Sequence, residues 1–247
     1  MAVMMPKLLR PLLVAAAGIA VFQAGPGVTG LAPVRRRLFP ALDGPGHDDH
    51  VALTFDDGPD AAVTPLFLDA LAARDTKATF FLLGSRVALN PRLAAEIVAG
   101  GHEIGVHGWE HRYLPLRGPL ATYHDLARSM DIVTEATGVV PRFFRPPYGV
   151  LSTASVLAAR RLGLTTVLWS CWGKEWTPHS TPNSVFDTLS RDLRGGATVL
   201  LHDSDTTAPA GSSQAALGAL GLLLDDCGRQ GLRVGPLGEH GLPRFRQ

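Results

Sequence analysis

From Val51 onward the chain alternates short apolar runs with amphipathic stretches, and this alternation constrains its fold more than any other feature. Residues 51–55, 78–83, 102–106, 143–144, 165–169, 198–201 and 233–234 read as strands, because they are short, apolar and bounded by turn residues. Between them, residues 64–73, a stretch opening at Asn90-Pro91, and residues 119–134, 152–162, 184–193 and 214–227 carry apolar side chains at helical spacing. Gly100-Gly101, Gly138 and Gly163 supply helix stops. Strands alternating with helices predict an α/β protein with a parallel sheet. With about seven such units, a closed or partly closed (β/α) barrel is favoured over an open doubly wound sheet.

The chain has 247 residues, 46% of them hydrophobic, which suffices for one large core. Its net charge of +1 argues against a nucleic-acid-binding surface. Cys171 and Cys227 are the only cysteines and read as two separate buried thiols, with a single disulfide as the alternative. At the N-terminus, Lys7 and Arg10 precede an apolar stretch over residues 11–22, and no charge follows until Arg35. Residues 1–24 therefore read as a signal peptide or a membrane anchor, placing the protein outside the cytosol or on a membrane, facing the cell envelope. The Gly- and Pro-rich residues 25–48 read as a linker, 49–236 as the folded domain and 237–247 as a tail. The basic cluster Arg35-Arg36-Arg37 suits anionic lipid heads or a solvated linker.

Five strings carry the chemistry, most of them directly after strand runs: Thr54-Phe55-Asp56-Asp57-Gly58-Pro59, His107-Gly108-Trp109-Glu110-His111, Arg145-Pro146-Pro147-Tyr148-Gly149, Glu175-Trp176 and Leu200-Leu201-His202-Asp203. Strand C-terminal ends are where α/β barrels place their active sites. Two adjacent carboxylates facing one dry site repel each other unless a cation compensates. One of them can bind a metal while the other accepts a proton from water. His107 and His111 have a spacing suited to shared metal ligation. Arg145 can hold the base ionised, and the two prolines after it leave the Tyr148 amide free to face a developing oxyanion. His202, ending an apolar strand, suits a general acid for an amine leaving group. Trp169, Trp172 and Trp176 belong to the core or to the wall of a sugar-binding groove. His102 reads as structural, His47 and His50 as linker polarity, and His124, His179 and His240 lack a supporting constellation.

In these strings, in their order and over residues 49–236, the chain resembles the polysaccharide deacetylase family, whose common module is the NodB homology domain. The resemblance implies a distorted (β/α) barrel that removes N-acetyl, and sometimes O-acetyl, groups from carbohydrates. It implies Asp57, His107 and His111 as ligands of a divalent metal, commonly zinc, with Asp56 as base, His202 as acid, Arg145 positioning the base and the Tyr148 N–H as oxyanion donor. Two strings depart from the family pattern. Gly108 stands where Ser or Thr is usual, and Trp172 and Glu175 stand at the two acid positions of Asp-x-x-Asp-Trp. Glu175 is the best available buttress for Arg145 or His202. Two other functions compete. Residues 107–111 fit the inverted zincin pattern of a peptidase, and the altered fourth string fits a non-catalytic carbohydrate-binding homologue.

Overall fold

A computed structural model describes residues 17, 18 and 20–242. Its centre is β1 (His50–Asp56), in which every residue is buried. Such an unbroken buried run is what a parallel sheet covered on both faces demands. β1 pairs in parallel with β2 (Thr79–Leu82) on one edge and with β7 (Thr198–His202) on the other. Outward from β2 lie β3 (Glu103–Val106), β4 (Phe143–Phe144) and β5 (Thr165–Thr166), and outward from β7 lies β6 (Cys171–Trp172). β8 (Arg233–Gly235) shares an edge of β1 with β2, since Ala52 faces Gly235 on that side and Thr198 on the other. All pairings are parallel, and the sheet is a partly closed barrel.

The helices are α1 (Ala32–Leu38), α2 (Thr64–Ala72), α3 (Gly84–Leu89), α4 (Pro91–Ala99), α5 (Pro119–Thr137), α6 (Thr153–Arg161), α7 (Pro182–Ser190) and α8 (Ser212–Arg229). Several start where a side chain satisfies the otherwise unpaired first amides. Asn90 accepts from the Leu93 amide, and Ser152 and Thr181 close capping boxes on Ser155 and Ser184. Phe67 and Leu71 of α2, with Leu220 and Leu223 of α8, pack on Leu53, Phe55, Val199 and Leu201 of the sheet. Cys171 and Cys227 are free, buried thiols, and burial pushes them up to about 12 and about 11.

Three expectations change. The stretch 25–48, read as a linker, is folded onto the barrel: α1 lies within it, and Thr29, Arg35 and Asp43 are buried. Gly and Pro there build short 3-10 turns rather than a flexible tether. The tail also packs, because Leu237 is buried and the His240 ring meets His50 at 2.7 Å between Nδ1 atoms, so neither histidine is linker or tail polarity. The strand expected at 165–169 is only two residues long, and the chain resumes pairing at β6, which periodicity alone does not reveal. Most of the signal or anchor segment lies outside the described residues.

The short β5 leaves a seam between β5 and β6, and arginines fill it. Arg145 donates through Nε to the Val167 carbonyl at 3.2 Å and through Nη2 to the Leu168 carbonyl at 2.7 Å. Arg35 donates to the Trp169 carbonyl at 2.9 Å and Arg36 to the Ser170 carbonyl at 3.1 Å. Four successive carbonyls without strand partners thus accept from guanidinium groups, as buried backbone oxygens require a donor. Arg35 is itself paired with Asp43 and donates to the Thr29 carbonyl.

Candidate metal centre

The strands deliver all the chemical strings to one end of the barrel. Asp56 ends β1, His107 follows β3, Arg145 follows β4, Glu175 follows β6 and His202 ends β7. Asp57 turns sharply, at φ 76°, so the two neighbouring carboxylates do not point to opposite faces as they would on a continued strand. Its Oδ1 lies 3.3 Å from His107 Nε2 and 3.7 Å from His111 Nε2. That oxygen is buried and has no hydrogen-bond donor. The three ligand atoms all fall within 4.8 Å of one another, and Asp57, His107 and His111 are the only such group among the described residues. The His107 Nδ1–H donates to the Arg145 carbonyl at 2.8 Å, which fixes the tautomer that leaves Nε2 a lone pair. Two imidazoles and an orphaned carboxylate oxygen suit a borderline-soft divalent cation such as zinc. The residues therefore fit the metal.

The two carboxylates favour positive charge beside them, whether on His107 or on a bound cation. Burial penalises the Asp57 carboxylate, yet the adjacent His107, with His202 and His111, holds it well below the usual carboxylate range. Burial opposes protonation of His107, but Asp56 and Asp57 outweigh it and raise the imidazole. His111 falls to about 4, through burial and then the charge of His107. Asp57 Oδ2 accepts the Thr207 hydroxyl, which leaves Oδ1 turned to the histidines.

Beside this cluster, Asp56 Oδ1 accepts from Arg145 Nη1 at 2.8 Å, while its Oδ2 lies 3.8 Å from His107 Nε2. Arg145 is fully buried, stacks over Phe81 at 4.1 Å from the ring centroid, and also donates to the Thr54 hydroxyl. Burial lowers Arg145 from its ordinary value, although Asp56 opposes that. Tyr148 adopts a left-handed conformation, φ 60°, in the turn Pro147–Gly149, and its ring packs edge-on against His111 at 4.2 Å.

His202 Nδ1 lies 2.8 Å from Glu175 Oε1, and the same oxygen accepts the His202 backbone amide at 2.6 Å. Burial works against the imidazolium, but Glu175, then Asp57 and Asp56, raise His202 to about 10. Glu175 is thus brought to His202, while Arg145 is held by Asp56 and backbone oxygens. Asp203 is buried against Gly58, where a Cβ would come within 2.5 Å of its carboxylate, and it accepts the Thr64 hydroxyl at 2.6 Å. Burial lifts it to about 7.

The departure at Gly108 has a local cause. Its φ is 93°, a region L side chains rarely adopt, and an added Cβ would press on Asp125. Asp125 accepts the Trp109 amide at 2.8 Å and so supplies from α5 the loop hydrogen bond that a side-chain hydroxyl would give. Residues 107–111 form no helix, and Glu110 points to the surface, where Arg112 Nε donates to it at 2.7 Å. This removes the inverted zincin reading, which needs both histidines and the glutamate on one helix. The sequence reading missed Thr207 and Thr54. Thr207 lies in a polar loop with no motif to mark it, and Thr54 looks like an ordinary strand threonine.

The cluster opens into a pocket of about 280 Å³, walled opposite the ligands by Trp169, Trp172 and Trp176. Trp172 lies 5.2 Å from Trp169 and 6.0 Å from Trp176 between ring centroids. Trp176 is 42% exposed, so these rings form a wall rather than core.

Residues 43–167 match the polysaccharide deacetylase family profile. A peptidoglycan-N-acetylglucosamine deacetylase of Bacillus cereus is 33% identical over 191 residues, covering 76% of this chain and 86% of that protein. Among solved structures, the Bc1960 peptidoglycan N-acetylglucosamine deacetylase superposes with a TM-score of 0.74 at 29% identity, over 83% of this chain and 93% of that one. BA3943 of Bacillus anthracis, described as a CE4 family pseudoenzyme, superposes with a TM-score of 0.71 at 26% identity, over 78% of this chain and 65% of that one. Of longer curated relatives, from Listeria monocytogenes, the chain spans 34% of the length.

Proposed function

Because the chain belongs to the polysaccharide deacetylase family, we propose that it hydrolyses the acetamide C–N bond of an N-acetylated carbohydrate, with acetate and a sugar amine as products. The observation that carries this reading is the convergence of Asp57, His107 and His111 on one point beside the Asp56–Arg145 pair. Zinc is the proposed ion, and when bound it would polarise the acetyl carbonyl and make water a better acid.

The chain's own groups divide the remaining work. Asp56, paired with Arg145 through Oδ1, takes the proton of the attacking water on Oδ2, the oxygen that Arg145 leaves free. The Tyr148 N–H donates to the carbonyl oxygen as it gains charge. His202, charged at neutral pH through Glu175, delivers a proton to the departing nitrogen. Glu175 fixes the ring through one oxygen that holds both Nδ1 and the backbone amide, so Nε2 is the atom left to donate. The tryptophan wall offers the apolar face on which a pyranose ring stacks.

N-acetylglucosamine in a cell-wall polymer or a chitooligosaccharide is the proposed substrate class, following the substrates named for the relatives. The N-terminal apolar segment supports a secreted or membrane-associated protein working at the cell envelope. The catalytic unit takes in residues 25–242, beyond the 49–236 expected from sequence, because α1 and His240 pack on the barrel. The altered fourth string alone favours a non-catalytic homologue, and the Glu175–His202 contact answers it by supplying a carboxylate to the acid. The test is acetate release by the zinc-loaded chain from N-acetylglucosamine oligomers and peptidoglycan. Release that disappears on chelation and returns with zinc supports the reading, and no release from any acetylated sugar refutes it.

A further inference from the structure

A groove of about 770 Å³ lies away from the metal cluster, between the start of α5, the face of α6 and residues 20–23. Phe22, Leu116, Leu120 and Leu157 line it and are 71%, 85%, 70% and 57% exposed. Contiguous exposure of this kind marks an interaction surface rather than ordinary surface apolarity. Arg117 and Arg161 border the groove, and no acidic residue among the described ones lines it.

The apolar N-terminal stretch ends on this groove. Gln23 is clamped from both sides: its Nε2 donates to the Arg117 carbonyl at 2.7 Å, and its Oε1 accepts the Ala154 amide at 3.3 Å. The Thr153 hydroxyl donates to the Phe22 carbonyl. The uncharged run of residues 11–22 therefore meets the pinned residue with no intervening linker. One extended residue spans only about 3.5 Å, so the membrane surface has no room to stand off from this face.

We infer that the α5–α6 groove, with Leu116, Leu120 and Leu157, seats on a lipid bilayer carrying anionic headgroups, the exposed Arg161 facing the phosphates. The inference rests on the membrane-associated reading of the N-terminus and adds the face and the orientation. It also brings the pocket close to the membrane surface, since only four residues lie between His111 and Leu116, about 18 Å of chain at most.

Single cysteines at Leu120, Leu157 and, as a control on α2, Leu66 (48% exposed) allow a direct test in the full chain. Cys171 and Cys227 are buried, so an exposed cysteine takes an environment-sensitive fluorophore selectively. The labelled chains are mixed with vesicles of phosphatidylcholine and phosphatidylglycerol containing nitroxide lipids. Labels at 120 and 157 should lose most of their emission, while the label at 66 keeps its own. Equal emission from all three on vesicle-bound chain overturns the assigned face but leaves membrane association standing. A chain that fails to float with vesicles overturns both. Quenching just as strong on phosphatidylcholine alone overturns the assignment of anionic headgroups.

Discussion

Replacing Glu175 by Gln tests the acid assignment without disturbing the shape of the site. The amide oxygen of Gln keeps an acceptor for the His202 amide and Nδ1, now 2.6 and 2.8 Å from Glu175 Oε1, and only the negative charge is lost. His202 stands at about 10 because that charge, helped by Asp57 and Asp56, overcomes burial, which acts the other way. Without it, burial returns the imidazole to its ordinary range of about 6.5 or below. At pH 7.5 the protonated fraction then falls from nearly all to about a tenth or less, and kcat/KM falls about ten-fold or more. The sign is specific. The alkaline limb of the profile should move down from near pH 10 to about pH 6.5, while activity near pH 5.5 stays closest to wild type. Acetate release from an N-acetylglucosamine oligomer between pH 5 and 10 gives the profile, and the zinc content of the same samples shows that the metal site is intact. An alkaline limb that does not move, with activity lost equally at every pH, would refute the account of Glu175 as the group that keeps His202 charged.

Three further outcomes follow from the same geometry. Asp56→Asn should lose nearly all turnover yet bind zinc as wild type by calorimetry, because Asp56 faces Arg145 rather than the centre of the cluster; a metal-free variant would mean the two aspartates are assigned in the wrong order. Arg35→Ala should cost about 3–5 kcal/mol in denaturant unfolding, since it strands a buried Asp43, whereas Arg36→Ala, which loses an exposed pair and one carbonyl hydrogen bond, should cost less, about 1–2 kcal/mol; equal costs would contradict the buried seam. His102 is held near 4 by burial, so its folded state favours the neutral ring and its contribution is present above pH 6.5 and lost as pH falls through 4. His102→Gln should therefore lessen the acid destabilisation between pH 6.5 and 4 by about 3 kcal/mol, measured by urea unfolding at each pH.

The site was easier to read from sequence than the boundaries of the fold, and the reason is physical. Asp56, Asp57, His107, Arg145 and His202 sit at the ends of apolar runs, so local patterning alone carries them to one end of a barrel. Glu175 was found only as a departure from a pattern; its partner, 27 residues on, is chosen by the pairing of β6 with β7. Thr207 reaches Asp57 across 150 residues from a polar loop, a contact that no periodicity encodes. The linker reading of residues 25–48 failed because Gly and Pro content reports on local stiffness, whereas Arg35 and Arg36 are drawn in by carbonyls of the distant residues Trp169 and Ser170 that lack strand partners. His50 and His240 looked idle for the same reason, being 190 residues apart and joined only when β8 reaches β1.

The arginine-filled seam also has a bearing on how such a barrel could be shortened or recombined. Trimming the chain to begin at Asp49 would remove none of the groups assigned to chemistry. It would, however, leave the Trp169 and Ser170 carbonyls without their donors, next to the segment whose two preceding carbonyls hold Arg145, and through it Asp56. Trp169 is also a panel of the pocket wall. An excised or chimeric version would keep its metal ligands while its aromatic wall and its base lost their common anchor. On the proposed function, the α1 segment is therefore a remote adjustment point, where substitutions would retune sugar fit and catalytic rate together without touching the pocket lining.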